Sequence, residues 1–166
     1  MSGFIVRPAT EGDRDAIHAL VERAFGQKLE ADLVDRLVAD GAAILELVAE
    51  RDGRIVGHVL FSRLIVERDS SSFAAVALAP LGVDPAAQRQ GIGAALVEEA
   101  HRRLEAAGEK LSVVLGDPAY YGRFDYRRSL AAGFSSDYQH EALQALAWGD
   151  APTTGRLVYP LAFAEL

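Results

Sequence analysis

The sequence predicts an α/β (α+β) fold in which helices cover a mixed β-sheet. Three observations predict it: strand-like and helix-like segments alternate along the chain, a two-residue turn signal joins two long strand patterns, and a proline interrupts a nearly continuous apolar run. The chain has 166 residues, half of them hydrophobic, which is enough for one domain with a substantial core. We therefore expect residues 1–166 to form a single domain.

A strand and two helices are predicted at the start of the chain. Residues 4–9, "FIVRPA", indicate a short strand, and Thr10 with Asp13 three residues later is typical of a helix N-cap with a carboxylate at the N3 position. Apolar residues then recur at helical spacing: Ile17, Leu20, Val21, Ala24 and Phe25. A second helix is predicted from about residue 29 to residue 38, and Gly41 suits its C-terminal cap.

The next part of the chain predicts a hairpin and a central strand. Residues 43–50 and 54–67 flank the dipeptide Asp52-Gly53, which favours the positive φ angles of a two-residue hairpin, so these strands should be antiparallel. The run at residues 73–83 is apolar almost throughout, as in a strand buried on both faces. Because Pro80 cannot donate a hydrogen bond, we expect this strand to bulge or part from a neighbour there, which would leave backbone groups free for a ligand.

The remaining elements are one long helix and several short segments. An amphipathic helix is predicted from Gly93 to about Gly108, with one apolar face formed by Leu96, Val97, Ala100 and Leu104. Residues 111–116, "LSVVLG", predict a buried strand, and residues 118–124, "PAYYGRF", a short helix or turn. Residues 155–163, "GRLVYPLAF", predict a final strand.

Composition and charge exclude several classes of function. A formal net charge of -7 offers no overall attraction to nucleic acids or anionic membranes, so neither is an expected partner. The absence of cysteine excludes disulfides, thiolate metal sites and a thiol nucleophile. No secretory leader or membrane-spanning run of roughly 20 residues is evident, and we expect a cytoplasmic protein. The four histidines are scattered, so we predict no metal site.

The stretch "GVDPAAQRQGIGAAL", residues 82–96, has the features of a phosphate site. The first backbone N–H groups of the helix that follows lack acceptors, and its dipole places partial positive charge there. Gly91 and Gly93 remove Cβ atoms where an anion must approach the main chain, and Arg89 adds a positive charge. The P-loop pattern does not fit because Gly-Lys-Ser/Thr is absent, and the dinucleotide fingerprint does not fit because Leu96 replaces its third small residue.

Two segments carry a family resemblance. Val83-x-Pro85, then Gln88-Arg89-Gln90-Gly91-Ile92-Gly93 with Ala95-Leu96 on the helix, resembles the acetyl-coenzyme A (acetyl-CoA) motif Gln/Arg-x-x-Gly-x-Gly/Ala of the GCN5-related N-acetyltransferase (GNAT) family. Residues 115–126, "LGDPAYYGRFDY", resemble a later family segment in which a tyrosine precedes a Gly-Phe pair. Within the family the chain resembles the YhbS-like acetyltransferases, with "LAPLGV", "LGDPAYYGRF" and "YPLAF" as its marks.

The resemblance implies a fold, a co-substrate and its binding residues. It implies a mixed, largely antiparallel sheet that is split at the cofactor site and flanked by helices on both faces. Acetyl-CoA would bind with its pyrophosphate on the backbone N–H groups from Arg89 to Ala94 and its pantetheine arm on the main chain at Leu81 and Val83. The implied cofactor-binding residues are Leu81, Gly82, Val83, Gln88, Arg89, Gln90, Gly91, Ile92, Gly93 and Ala94. The family also implies a homodimer formed through the last strands.

The implied reaction is direct transfer of the acetyl group to a primary amine of a small molecule or a protein in a ternary complex. By its offset from residues 124–126, Tyr121 matches the family's general acid, and Tyr120 is the neighbour that competes with it. Asp125-Tyr126 replaces the family's Gly-Phe pair. Aspartate tolerates a positive φ better than most residues, and we expect the carboxylate of Asp125 to face solvent.

The general base is not identified by the resemblance. Glu46 and His58 are candidates that would act through water, although His58 more readily fits a half-buried strand histidine with one nitrogen satisfied. His18 and His101 are expected to be solvated. His140 lies in a connecting segment, "SSDYQHEAL", that is a candidate border of the substrate site.

Two other functions remain open on the sequence. The chain is alternatively a non-catalytic acyl-CoA-binding module, which would release no thiol in the presence of an amine. It is also compatible with a phosphate-binding domain for another nucleotide, for which shorter nucleotides would compete with coenzyme A.

Overall fold

Eight strands form one mixed, mostly antiparallel sheet in the computed structural model, which describes residues 3–165. Residues 1, 2 and 166, which the sequence analysis includes in the single domain, lie outside the described residues. The strands are β1 (Ile5–Pro8), β2 (Ala43–Arg51), β3 (Arg54–Glu67), β4 (Ser72–Val83), β5 (Leu111–Leu115), β6 (Phe134–Ser135), β7 (Leu143–Ala147) and β8 (Gly155–Val158). Their order is β1-β2-β3-β4-β5-β7, and β8 pairs with β3 and with β6. The β4–β5 and β6–β8 pairs are parallel.

Helices cover both faces of this sheet, as expected. They are α1 (Arg14–Phe25), α2 (Leu29–Ala39), α3 (Ile92–Ala106) and the single-turn α4 (Pro118–Tyr121). The apolar face of α3 packs on one side of the sheet, and those of α1 and α2 pack on the other. Within residues 3–165, no helix has the length and apolar character needed to cross a membrane.

Two local signals in the sequence are confirmed. The backbone N–H of Thr10 donates to Asp13 Oδ2 at 2.8 Å in a capping box, and a short 3₁₀ turn precedes α1. Hydrogen bonding by Arg7 of β1 lowers the pKa of Asp13, although burial partly opposes this effect. Between β2 and β3, Asp52 and Gly53 have φ angles of 52° and 73°, as the hairpin prediction requires.

The last third of the chain differs from the prediction. The final strand covers only Gly155–Val158, because Pro160 cannot extend a ladder, and a 3₁₀ turn follows at Leu161–Glu165. The prediction also missed β6 and β7, which lie at the two ends of the connecting segment "SSDYQHEAL". Residues 143–147 of β7 are a short apolar run that pairs antiparallel with β5, so their strand conformation depends on a distant partner.

Candidate functional site

A bulge in β4 sets the geometry of the site. In the β3–β4 ladder, Val59 faces Leu81 and Phe61 faces Leu78, so residues 79–80 of β4 oppose a single residue of β3. An extra residue reverses the alternation of side chains between the two faces of a sheet. Beyond the bulge, Leu81 and Val83 therefore pack with the α3 core.

The strands β4 and β5 part at the same point. Their parallel pairing begins with Val76 opposite Ser112 and ends with Leu78 opposite Val114. From Pro80 onward, β4 continues along β3 alone. The prediction of a bulge or separation at Pro80 is thus confirmed, and the separation forms a wedge-shaped split between two central strands.

The edge of β4 that faces the split carries main-chain groups that β3 does not use. The N–H of Asp84 donates to the carbonyl of Val56 in β3 at 2.8 Å. Main-chain N–H and C=O groups point to alternate sides along an antiparallel strand. Those of Gly82, two residues before Asp84, therefore also face β3. The N–H and C=O groups of Leu81 and Val83 therefore face the split.

The loop before α3 ends at a helix N-terminus that is open to a ligand. Gly91 is the N-cap with φ of 83°, and a Cβ at this position would meet no atom within 4 Å. The first hydrogen bond of the helix runs from the N–H of Ala95 to the carbonyl of Gly91 at 3.0 Å, so the preceding N–H groups lack acceptors in the helix. Arg89 also takes a positive φ, of 64°. This turn presents several backbone donors in one place.

Asp84 and Gln88 hold the loop in position. Asp84 Oδ1 accepts a hydrogen bond from the N–H of Ala86 at 3.0 Å, and its Oδ2 accepts one from Arg23 at 3.0 Å. The bond from Ala86 lowers the pKa of Asp84, with Arg23 acting in the same direction against a smaller effect of burial. The side-chain amide of Gln88 donates to the carbonyl of Val83 at 3.4 Å. The carboxylate of Asp84 is therefore a structural group of the loop.

A cavity of about 620 Å³, here called the α3 cavity, joins the split to this helix N-terminus. Eight of the ten residues proposed for coenzyme A line it, whereas Gly82 and Gln90 do not. The remaining lining residues are Ala87, Tyr120, Tyr121 and Arg123. Sequence reasoning missed Ala87 and Arg123, since nothing local shows that the α4 region returns to this loop.

Tyr120 and Tyr121 occupy different walls of the α3 cavity. Asp117 caps α4 and Pro118 occupies its first turn, which fixes both tyrosines at the end of β5. A Cβ on Gly116, directly after β5, would lie 2.5 Å from the ring of Tyr121. Burial raises the pKa of both tyrosines, so both hydroxyls are protonated at neutral pH.

The hydroxyl of Tyr120 lies over the start of α3. A Cβ on Gly93 would be 2.6 Å from Tyr120 Oη, so this glycine allows the close approach. Arg123 stacks on the ring of Tyr120 at 5.2 Å and brings a second guanidinium group, besides Arg89, to the cavity. Asp125 has φ of 72° and is exposed, which confirms the expectation for this substitution of the family glycine.

The candidate bases Glu46 and His58 form a buried pair on the opposite side of the sheet. Burial raises the pKa of Glu46, but hydrogen bonding and charge from His58, together with Arg14, outweigh it and lower that pKa. An ionised carboxylate can only accept, so His58 Nε2 donates to Glu46 Oε2 at 2.8 Å. His58 is fully buried rather than half-buried, and its Nδ1 has no partner among residues 3–165. Neither residue lines the α3 cavity.

The expectation that His101 is solvated is wrong. Its ring packs between Phe61, Tyr126 and Trp148, and Nε2 lies 3.0 Å from Tyr126 Oη. The same hydroxyl lies 2.7 Å from Ser112 Oγ, so the three polar groups form one network. Burial lowers the pKa of His101 to about 4, although the negative charge of Asp125 opposes this shift.

His18 connects the first two helices. Its Nδ1 lies 2.8 Å from Asp35 Oδ2, and Asp32 brings a third potential ligand atom within 4.8 Å of both residues. This grouping cannot be predicted from local sequence patterns, because His18 lies in α1 and the two aspartates lie in α2. It lies on the outer side of α1 and α2, apart from the α3 cavity.

A second, smaller cavity lies on the other face of the sheet at the same split. This aromatic cavity measures about 130 Å³. Its strand residues are Ala77, Leu78, Ala79, Val113 and Leu115, and Tyr138, Tyr159 and Phe163 close it. Tyr138 belongs to the segment that contains His140, and His140 itself is exposed and accepts a hydrogen bond from Ala142 at 3.1 Å.

Comparison with known proteins gives consistent similarities. A model of an acetyltransferase (GNAT) domain matches residues 5–129. The chain is 38% identical over 124 residues to the uncharacterized N-acetyltransferase YhbS of Escherichia coli (strain K12), a match that covers 74% of this chain and 73% of the relative.

Two solved structures are similar over almost the whole chain. A GNAT family acetyltransferase from Brucella melitensis in complex with acetyl-CoA has a TM-score of 0.84 and 32% identity, covering 97% of this chain and 98% of that one. The GNAT family N-acetyltransferase YhbS from Escherichia coli in complex with CoA has a TM-score of 0.91 and 32% identity, covering 99% of this chain and 93% of that one.

Proposed function

This chain belongs to the GNAT family of N-acetyltransferases, and on that premise we propose that it transfers an acetyl group from acetyl-CoA directly to a primary amine of a small molecule or a protein. The observation that carries the proposal is the α3 cavity, which joins a helix N-terminus to a split strand edge whose main-chain groups do not pair with β3. Residues 1–166 form the acetyltransferase domain in this proposal. Dimerisation through the last strands stays a prediction.

The α3 cavity fits the chemical parts of acetyl-CoA. The N–H groups from Arg89 to Ala94 suit the pyrophosphate, because a helix N-terminus with Gly91 lets phosphate oxygens approach the main chain. Arg89 and Arg123 add positive charge at the same place. The main-chain N–H and C=O groups of Leu81 and Val83 that face the split suit the two amides of the pantetheine arm. The bound acetyl-CoA and CoA of the two relatives support this assignment.

The proposed reaction forms one bond and breaks one. The amine nitrogen attacks the thioester carbon, the C–N bond forms, the C–S bond breaks, and the amine loses one proton. A main-chain N–H on the split edge of β4 stabilises the negative charge that develops on the thioester oxygen. We assign Tyr121 as the general acid that serves the leaving sulfur. Because its pKa is raised above that of a thiol, about 8.5, Tyr121 acts chiefly by hydrogen bonding to the developing thiolate.

The acceptor approaches from the face opposite α3. The α3 cavity holds the donor on one face of the sheet, and the aromatic cavity opens at the same split on the other face. Among the residues that line these two cavities there is no Asp, Glu or His. The amine proton therefore passes to water in this proposal, and a role for Glu46 and His58 through water stays a prediction.

Titration calorimetry with acetyl-CoA tests the donor site. A Gly91→Glu variant should bind at least about tenfold more weakly, a change of about 1.4 kcal/mol, because its carboxylate would occupy the pyrophosphate position. Gly108→Glu is the matched control: Gly108 also has a positive φ, of 92°, and open space, but it follows the other end of α3. Wild-type protein that does not bind acetyl-CoA would refute the proposal. Binding without thiol release in the presence of amines would identify an acyl-CoA-binding module instead.

A further inference from the structure

The aromatic cavity has a composition that selects among amines. Its walls are the small or branched side chains of β4 and β5 and three aromatic rings, and none of the residues lining it carries a formal charge. Tyr159 is neutral at physiological pH, since burial, more than the neighbouring Tyr138, raises its pKa to about 12. Tyr138 Oη donates its proton to the carbonyl of Phe163 at 3.2 Å. The cavity therefore contains no carboxylate that could pair with an ammonium ion.

The size of the cavity indicates how large the entering group is. An apolar cavity of about 150 Å³ accommodates benzene, and the aromatic cavity, at about 130 Å³, is close to this size. Its rings are arranged edge to face, with the rings of Tyr138 and Tyr159 5.0 Å apart and those of Tyr159 and Phe163 5.3 Å apart. Such walls match a flat aromatic ring better than a flexible polar chain.

Protonation of the amine decides the class of acceptor. An alkylamine with a pKa near that of lysine, about 10.4, is almost entirely an ammonium ion at pH 7, and transfer of an ion into an apolar cavity is strongly unfavourable. An arylamine is neutral at pH 7 and needs no base to become nucleophilic. No Asp, Glu or His lines either cavity, so neither offers a side-chain base, and an arylamine is the acceptor class that needs none.

Resting on the proposed acetyl transfer, we infer that the acceptor is a small, weakly basic amine carried on an aromatic ring, which inserts between Leu115 and Tyr159 and is acetylated at the split. The overall charge of -7 does not alter this choice, because the cavity itself carries none of that charge. An acidic surface alone would favour cationic polyamines as substrates. Their charge disfavours entry into the apolar cavity.

The test compares amines of matched shape at saturating acetyl-CoA and pH 7, with thiol release as the readout. Aniline and cyclohexylamine have rings of similar size, but only cyclohexylamine is charged at this pH, and putrescine represents the polyamines. Aniline should give at least about a tenfold higher kcat/KM than either of the others. A higher value for cyclohexylamine or putrescine, or turnover with none of the three by protein that binds acetyl-CoA, would overturn the inference.

A cavity-filling variant tests where the ring binds. Leu115 is 49% exposed, so Leu115→Trp can fill the cavity without forcing a tryptophan into the core. It should lower aniline turnover at least about tenfold while its affinity for acetyl-CoA stays within about twofold of wild type. Ile5→Trp, at a 60% exposed position on the edge strand β1, should leave both unchanged. Unaltered aniline turnover in Leu115→Trp would overturn the inference. A wild-type protein that does not bind acetyl-CoA would instead refute the proposed function itself.

Discussion

Tyr120 and Tyr121 show how neighbouring residues of one type acquire different roles. The ring of Tyr121 packs on Gly116 at the end of β5, whereas the hydroxyl of Tyr120 lies over Gly93 at the start of α3. Tyr121 therefore stands beside the split, where the thioester would lie, and Tyr120 stands beside the turn proposed to bind the pyrophosphate. This difference supports Tyr121 as the residue that serves the leaving sulfur.

A Tyr121→Phe substitution should lower kcat by about 10²-fold with little change in the KM for acetyl-CoA, because it removes only the hydroxyl that stabilises the leaving thiolate. Thiol release under saturating acetyl-CoA measures this effect. Tyr120→Phe is the matched control and should change kcat by less than about threefold. A larger loss of kcat in Tyr120→Phe than in Tyr121→Phe would reverse the assignment.

At the scale of elements, the position of α3 depends on its contact with β3. Gly57 in β3 lies under the first turns of the helix: a Cβ there would be 2.7 Å from Ile92 Cγ2 and 3.0 Å from Leu96 Cδ1. The absence of a side chain lets the helix N-terminus lie close to the sheet, beside the split edge of β4. The turn proposed to bind the pyrophosphate and the main-chain edge of β4 are thus held close together by the packing of α3 on Gly57.

A Gly57→Ala substitution should push the first turns of α3 away from the sheet. We expect a loss of about 1–3 kcal/mol in the free energy of unfolding, together with weaker acetyl-CoA binding, because added volume in a packed core is not absorbed without movement. Denaturant unfolding and calorimetry measure the two effects. Gly12→Ala, where a Cβ would meet only Thr10 at 3.8 Å, should change stability by less than about 0.5 kcal/mol. Equal stability of the two variants would contradict this account.

At the scale of the whole molecule, a buried polar network links α3 to the sheet. The hydroxyl of Tyr126 lies within hydrogen-bond distance of His101 in α3 and of Ser112 in β5, beneath the aromatic rings that surround His101. The folded state favours neutral His101, since burial lowers its pKa from 6.5 to about 4. The unfolded chain binds this proton more readily, so stability rises with pH between these values.

The free energy of unfolding should therefore fall by as much as about 3 kcal/mol between pH 6.5 and pH 4. The contribution of neutral His101 to the free energy of unfolding is fully present above pH 6.5 and is lost as the pH falls to about 4. Urea unfolding at a series of pH values measures it. A His101→Gln variant should lack this part of the pH dependence, and His140→Gln, at an exposed position, should retain it. A wild-type slope in His101→Gln would contradict the prediction.

Local patterns were sufficient to predict much of the fold and to propose a donor site. The capping box at Thr10, the Asp52-Gly53 hairpin and the break at Pro80 follow from the steric and hydrogen-bonding properties of a few adjacent residues, and all three are confirmed. The phosphate-binding turn could be proposed from Gly91 and Gly93 for the same reason: a helix N-terminus and its glycines are local features. By contrast, β7 was missed because its strand conformation depends on pairing with β5.

The sequence by itself determined the class of fold, the acetyltransferase family and the turn on which a pyrophosphate would lie. Only the tertiary structure decided that Arg123 reaches the α3 cavity, that His101 packs among aromatic rings, and that two cavities lie on opposite faces of one split with no Asp, Glu or His lining either. The physical reason is distance along the chain. Helix caps and turns are made by neighbouring residues, whereas burial, pKa shifts and cavity walls arise between residues that approach one another only after the sheet has formed.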